Sequence, residues 1–163
     1  MKTDVLLKPG APILHIHVAS DDQVTDWLHA QEQLHKPRVV ARAIRGTKCG
    51  TEAAFFSEIG AAWQLPHYFG ENWDALVDSL SDPHGKTGDA EAYVLVVRHA
   101  VRLLDQEPGK KLKTFADVMT QVAERLSTPV GKQAAIAFRV ILQTLAPEEA
   151  KLRTRLKEAG VAA

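Results

Sequence analysis

A chain of 163 residues that is 45% hydrophobic and 25% charged fits one compact domain with a buried core, and excludes a disordered or fibrous protein. Lys plus Arg balance Asp plus Glu at 20 each, so global charge points to neither nucleic acid nor a membrane surface, and an electrostatic role has to come from local asymmetry. A single cysteine, Cys49, excludes an intrachain disulfide and fits a reducing compartment. The start MKTDVLLKPGAPILHIH is broken by Asp4, Lys8 and Pro9, and no apolar run approaches ~18 residues, so a cytoplasmic chain without a membrane span is expected.

ILHIHVA at 13–19 predicts a short strand, and Ser20, Asp21 and Asp22 offer N-caps to a helix carrying Val24, Trp27 and Leu28 at helical spacing. Pro37 closes that unit. RVVARAI at 38–44 predicts a second strand, turned by Gly46 and Gly50, after which Thr51 caps a helix with Phe55, Phe56, Ile59 and Trp63 on one stripe. Gly70 and Asn72 then supply the turn and N-cap of a helix over 72–80, whose Trp73, Leu76, Val77 and Leu80 fall at i, i+3, i+4 and i+7. Residues 82–91, DPHGKTGDAE, read as a polar loop.

AYVLVV at 92–97 and AAIAFRVIL at 134–142 are apolar on both faces, as central parallel strands should be. Between them the sequence predicts a short helix near 99–106, a break at EPGKK, and a longer helix from Thr114, with Thr114 and Asp117 spaced as a capping box. The last stretch, APEEAKLRTRLKEAGVAA, reads as a charged tail, a solvated helix or partly disordered. Strands alternating with helices predict four mostly parallel strands joined by right-handed crossovers. Phe55, Ile59, Trp73, Leu76, Val94, Val96, Val118, Val122 and Ile136 are expected to be buried together.

One feature of the 72–80 helix is not explained by packing. Asp74 and Asp78 lie one turn apart, about 100° to 140° round from Trp73, with Glu71 beside them. The helix dipole favours Asp74, whereas Asp78 gains little from it and repels Asp74. Over residues 68–92, six carboxylates stand against Lys86, a local net charge of minus five in a neutral chain. A solvated face and a docking surface for cations both fit that pattern.

The stretch LPHYFGENWDALVDSL at 65–80 resembles the signature segment of the barstar family, intracellular inhibitors of barnase-like secreted ribonucleases: Leu, Pro, an aromatic pair, Gly, an acid, Asn, then Asp, Ala, Leu and Asp in register. The resemblance runs without a gap from IRG at 44–46 and covers roughly 38–143. It implies a barstar-like α/β fold, a small parallel sheet of three to four strands packed with helices. In that frame residues 1–37 are an N-terminal strand–helix extension, 38–144 the barstar-like domain and 145–163 a charged C-terminal tail.

It also implies an inhibitor of immunity or antitoxin type, not an enzyme, which needs no cofactor and is monomeric when free. Its basic protein partner, a ribonuclease or related toxin, would meet Tyr68, Gly70, Asn72, Asp74, Asp78 and, on a later helix, Glu124. A carboxylate such as Asp78 would stand in for the substrate phosphate by accepting charge-assisted bonds from the partner's cations. Val77 replaces the tryptophan that a well-known family member carries beside the contact aspartate, and the 82–91 loop lacks an aromatic that some members present. The alternatives are a partner other than a ribonuclease, a fold that has lost inhibition, or a hydrolase using Asp74 and Asp78 as acid and base. The last needs a cleft and an environment that raises a carboxyl pKa, and two acids on an exposed helix supply neither.

Other constellations carry less. His15 and His17 share one side of a strand, but no third ligand is placed and no metal is expected. Cys49 with His67 lacks an orienting third group for nucleophilic catalysis. GKKLK at 109–113 lacks the interleaved aromatics of a nucleic-acid contact and reads as a solvated lead-in to the helix that follows.

Overall fold

A computed structural model describes residues 12–34, 38–82, 90–128 and 134–163. Four strands, β1 (Leu14–Val18), β2 (Val39–Arg45), β3 (Ala92–Arg98) and β4 (Ala137–Thr144), form one wholly parallel sheet in the order β1-β4-β3-β2. Five helices accompany them: α1 (Asp21–Gln33), α2 (Glu52–Trp63), α3 (Trp73–Ser81), α4 (Lys110–Ser127) and α5 (Glu149–Glu158). This is the α/β architecture expected.

The pleat divides the core in two. Tyr93, Leu95 and Val97 of β3 and Phe138, Val140 and Leu142 of β4 face the side covered by α2, α3, α4 and α5, where they meet Phe55, Ile59, Leu76, Phe115, Met119 and Leu152. The alternate residues, Ala92, Val94, Val96 and Ile141, face α1 and pack with Val24 and Trp27. The single common core expected for Val94, Val96 and Phe55 is therefore corrected: in a strand buried on both faces, neighbours in sequence serve opposite layers.

Local chemistry accounts for the helix starts. Ser20 and Gln23 form a reciprocal capping box on α1, and Thr51 Oγ1 accepts from Ala54 N at 3.3 Å to open α2. Gly46, where β2 ends, permits a close approach, since a Cβ there would lie 2.4 Å from the His99 carbonyl oxygen. α4 begins earlier than the expected Thr114. Thr114 Oγ1 donates back to Lys110 O and Asp117 pairs with Lys113, so neither caps the helix. GKKLK is thus the first turn itself, and its charge is offset there, Lys111 Nζ lying 2.6 Å from Glu52 Oε1.

The fourth strand starts later than 134, because Ile136 N donates to Leu126 O at 2.8 Å and still belongs to the exit from α4. Instead of the short helix near 99–106 there is a 3-10 turn at Ala100–Arg102. The tail is docked as well as charged: Leu152 and Leu156, one turn apart on α5, are buried, and the Arg155 guanidinium donates to the carbonyls of Val101 and Leu103. Pro37 and most of the 82–91 loop lie outside the described residues.

Candidate functional site

The acidic helix α3 is held from below. Leu76, Val77 and Leu80 are buried, while Trp73 is half-buried with its ring stacked on Phe55 (centroids 5.3 Å apart, 27° between planes) and tilted against Phe56 at 4.9 Å. Trp73 Nε1 donates to Glu52 Oε2, and the other oxygen of that carboxylate pairs with Lys111. The Lys111 ammonium holds the Glu52 carboxyl below its ordinary range, against the opposing effect of burial and with help from the Trp73 bond.

The N-terminus is built as the sequence indicates. Asn72 Oδ1 accepts from Ala75 N at 2.9 Å and its Nδ2 donates to Gly70 O at 3.1 Å. A Cβ on Gly70 would come within 2.9 Å of that same Nδ2, so the glycine leaves room for the cap. Glu71 has φ +46, a left-handed conformation in a residue with a side chain, directly before the helix. The preceding loop is anchored by Phe69, whose ring meets Phe56 edge-on at 6.1 Å, and by the turn bond from Phe69 N to Pro66 O.

What this scaffold presents outward is polar and mostly acidic. Asp74, Asp78, Glu71, Asn72 and Gly70 are exposed, and Tyr68 at 78% is the most exposed of the large apolar side chains among the described residues. Glu124 is exposed on α4, which packs beside α3. Tyr68, Gly70, Asn72, Asp74 and Asp78 thus come from one continuous loop and helix, and Glu124 from the neighbouring helix.

Sequence reasoning missed Arg125. Its Nη1 donates to Asp78 Oδ1 at 2.7 Å, so the acidic face carries a cation of its own. No local spacing announces a pair 47 positions apart; the one available signal is that Arg125 follows Glu124 on the exposed side of α4.

A groove of about 300 Å³ runs between α2 and the loop, lined by Phe56, Gly60, Leu65, Pro66, Phe69 and Glu71 among others, and neither Asp74 nor Asp78 lines it. Among the described residues no three metal-ligating side chains come together. His15 and His17 do point to one side of β1, where burial lowers the pKa of both imidazoles. Burial pushes the Cys49 thiol up to about 12, far from the thiolate a nucleophile requires. No helix among the described residues is long and apolar enough to cross a membrane.

A family model described as "Barstar (barnase inhibitor)" matches residues 39–143, from the first residue of β2 to the penultimate residue of β4 and well over half of the chain. The matched span contains the whole acidic face and leaves out β1, α1 and α5. No curated protein sequence matches the chain.

Proposed function

We propose, on the premise that this chain belongs to the barstar family, that it is a protein inhibitor of immunity or antitoxin type whose α3 face docks into the basic active site of a ribonuclease. The observation that carries this reading is the separation of labour within α3. Its inner side is packed through Trp73, Leu76, Val77 and Leu80, while Asp74 and Asp78 stay exposed on its outer side.

Carboxylates carried on a helix that is already packed lose less entropy on docking than those of a loop that has to order, which favours affinity per contact. Asp78 would take the place of a phosphate among the partner's cations, with Asp74, Asn72 and Gly70 beside it, Tyr68 packing at the loop and Glu124 reaching from α4. The concentrated negative charge would speed encounter with a basic enzyme at low salt. An exposed helix face also supports this binding role over acid–base catalysis, since the nearby groove is lined by neither aspartate.

Isothermal titration of wild type and Asp74→Ala/Asp78→Ala against a panel of basic ribonucleases, with RNA cleavage followed in parallel, tests the reading. Wild type is expected to bind and inhibit at least one of them, and the double variant to lose both. A ribonuclease bound and inhibited equally by the two proteins would remove the α3 face from the mechanism.

A further inference from the structure

Arg125 reaches across from α4 to Asp78 on the exposed acidic side of α3. The two side chains remain 51% and 75% exposed, so water surrounds the contact. Arg125 Nη1 occupies Oδ1, and Asp78 Oδ2 has no partner among the described residues. The carboxylate is thus half engaged inside its own molecule before any partner arrives.

Cations differ in how much of a carboxylate they need. A guanidinium bonds best through two parallel N–H donors to both oxygens, whereas an ammonium is a compact charge satisfied by one. We propose that Arg125 is a specificity-determining residue of the α3 face: by holding one oxygen of Asp78 it leaves a single oxygen on offer, so a partner guanidinium has to displace Arg125 before it can grip Asp78 bidentately, and a partner ammonium does not. This rests on the docking reading of α3 for its biological use, and on the Asp78–Arg125 contact alone for its chemistry.

Two effects of Arg125 have to be separated. Its charge subtracts from the acidic field at long range, which slows approach of any cationic partner alike. Its occupation of Oδ1 acts only at contact and only through Asp78. An exposed ion pair is weak, so displacement is expected to change affinity by about two- to fivefold.

Hexa-arginine and hexa-lysine peptides serve as probes that need no natural partner. Their affinities for wild type, Arg125→Gln, Asp78→Asn and the double variant are measured at low salt by NMR shift titration, with circular dichroism confirming that each variant is folded. Arg125→Gln is expected to tighten hexa-arginine binding by about two- to fivefold more than hexa-lysine binding, and that difference is expected to vanish in the Asp78→Asn background. Equal gains for both peptides, a difference that survives in Asp78→Asn, or a loss of affinity in Arg125→Gln each overturn the proposal. A basic ribonuclease run in parallel distinguishes the two levels. If the peptides show the coupling, Arg125 has this role whatever the ribonuclease does, and failure of any ribonuclease to bind then counts against the docking reading alone.

Discussion

Trp73 and Glu52 are joined by a hydrogen bond from the indole Nε1 to the carboxylate, and because Lys111 holds the other oxygen, the first residue of α3 is tied at once to the opening turns of α2 and α4. The acidic helix is therefore aimed by a group that lies 21 positions away in sequence and carries none of the outward charge. Glu52→Ala leaves Trp73 Nε1 and Lys111 without their acceptor and is expected to cost about 1–3 kcal/mol of folding stability. Glu52→Gln keeps an oxygen for Trp73 and is expected to recover much of that. Urea unfolding of the three proteins checks both, and unchanged midpoints in both variants would show the clamp to be idle.

The same carboxylate makes stability depend on acid. Its folded pKa lies below the ordinary value of 4.5, held down by Lys111. A group shifted in that direction contributes stability that is present above the unfolded pKa and is lost as pH falls through the folded one. Wild-type stability is therefore expected to fall below pH 4.5 more steeply than that of Glu52→Gln. Glu58, held down chiefly by the Arg45 guanidinium, adds a loss in the same direction that both proteins share. Parallel curves for the two proteins between neutral and acid pH would take Glu52 out of acid unfolding.

Binding and folding are expected to separate at Asp78. Asp78→Ala removes an exposed side chain paired only at the surface, so unfolding should move by no more than about 0.5 kcal/mol. Against a ribonuclease that wild type inhibits, the same change is expected to cost several kcal/mol, on the order of 2–5, because it strands cations buried in the interface. Calorimetry of folding and of binding on the same variant measures both. Added salt is expected to slow association far more than it speeds dissociation, which stopped-flow mixing resolves.

The last helix offers a test of packing. Leu152→Ala deletes a buried side chain whose neighbours belong to the main core, and it is expected to destabilise the fold by roughly 2–4 kcal/mol. A thermal midpoint equal to wild type would mean that α5 contributes nothing to the core.

Periodicity made much of this legible. The inward stripe of α3 and the Thr51 and Asn72 caps follow from local pattern, because spacing and capping chemistry act within a few residues, and the parallel direction of the four strands follows from their alternation with helices, though their order in the sheet does not. What stayed hidden was decided across the fold. The sequence of β3 is apolar at every position from Ala92 to Val97, and nothing in it says that Val94 and Val96 face α1 while Tyr93 and Leu95 face α2. Thr114 and Asp117 satisfied a capping rule that Gly109 and Lys110 had already made unnecessary by starting the helix one turn earlier. The charged tail concealed two leucines that matter only once the Val101 and Leu103 carbonyls are in place to receive Arg155. The acidic side of α3 could be found by counting charges, but its own cation could not, since Arg125 meets Asp78 only after two helices pack.

Among the described residues β1 pairs only with β4, Leu14 opposite Val140 and Val18 opposite Thr144. β1 therefore cannot pair until β4, far along the chain from it, is in place. Closing so long a loop is slow compared with pairing β2 to β3 or β3 to β4, where the intervening chain is much shorter. In the interval β4 presents a bare, strongly apolar edge, the kind of surface on which nascent chains add to one another. β1 is therefore expected to join late, as the piece that shuts this edge, with α1 covering the second face of the sheet beside it.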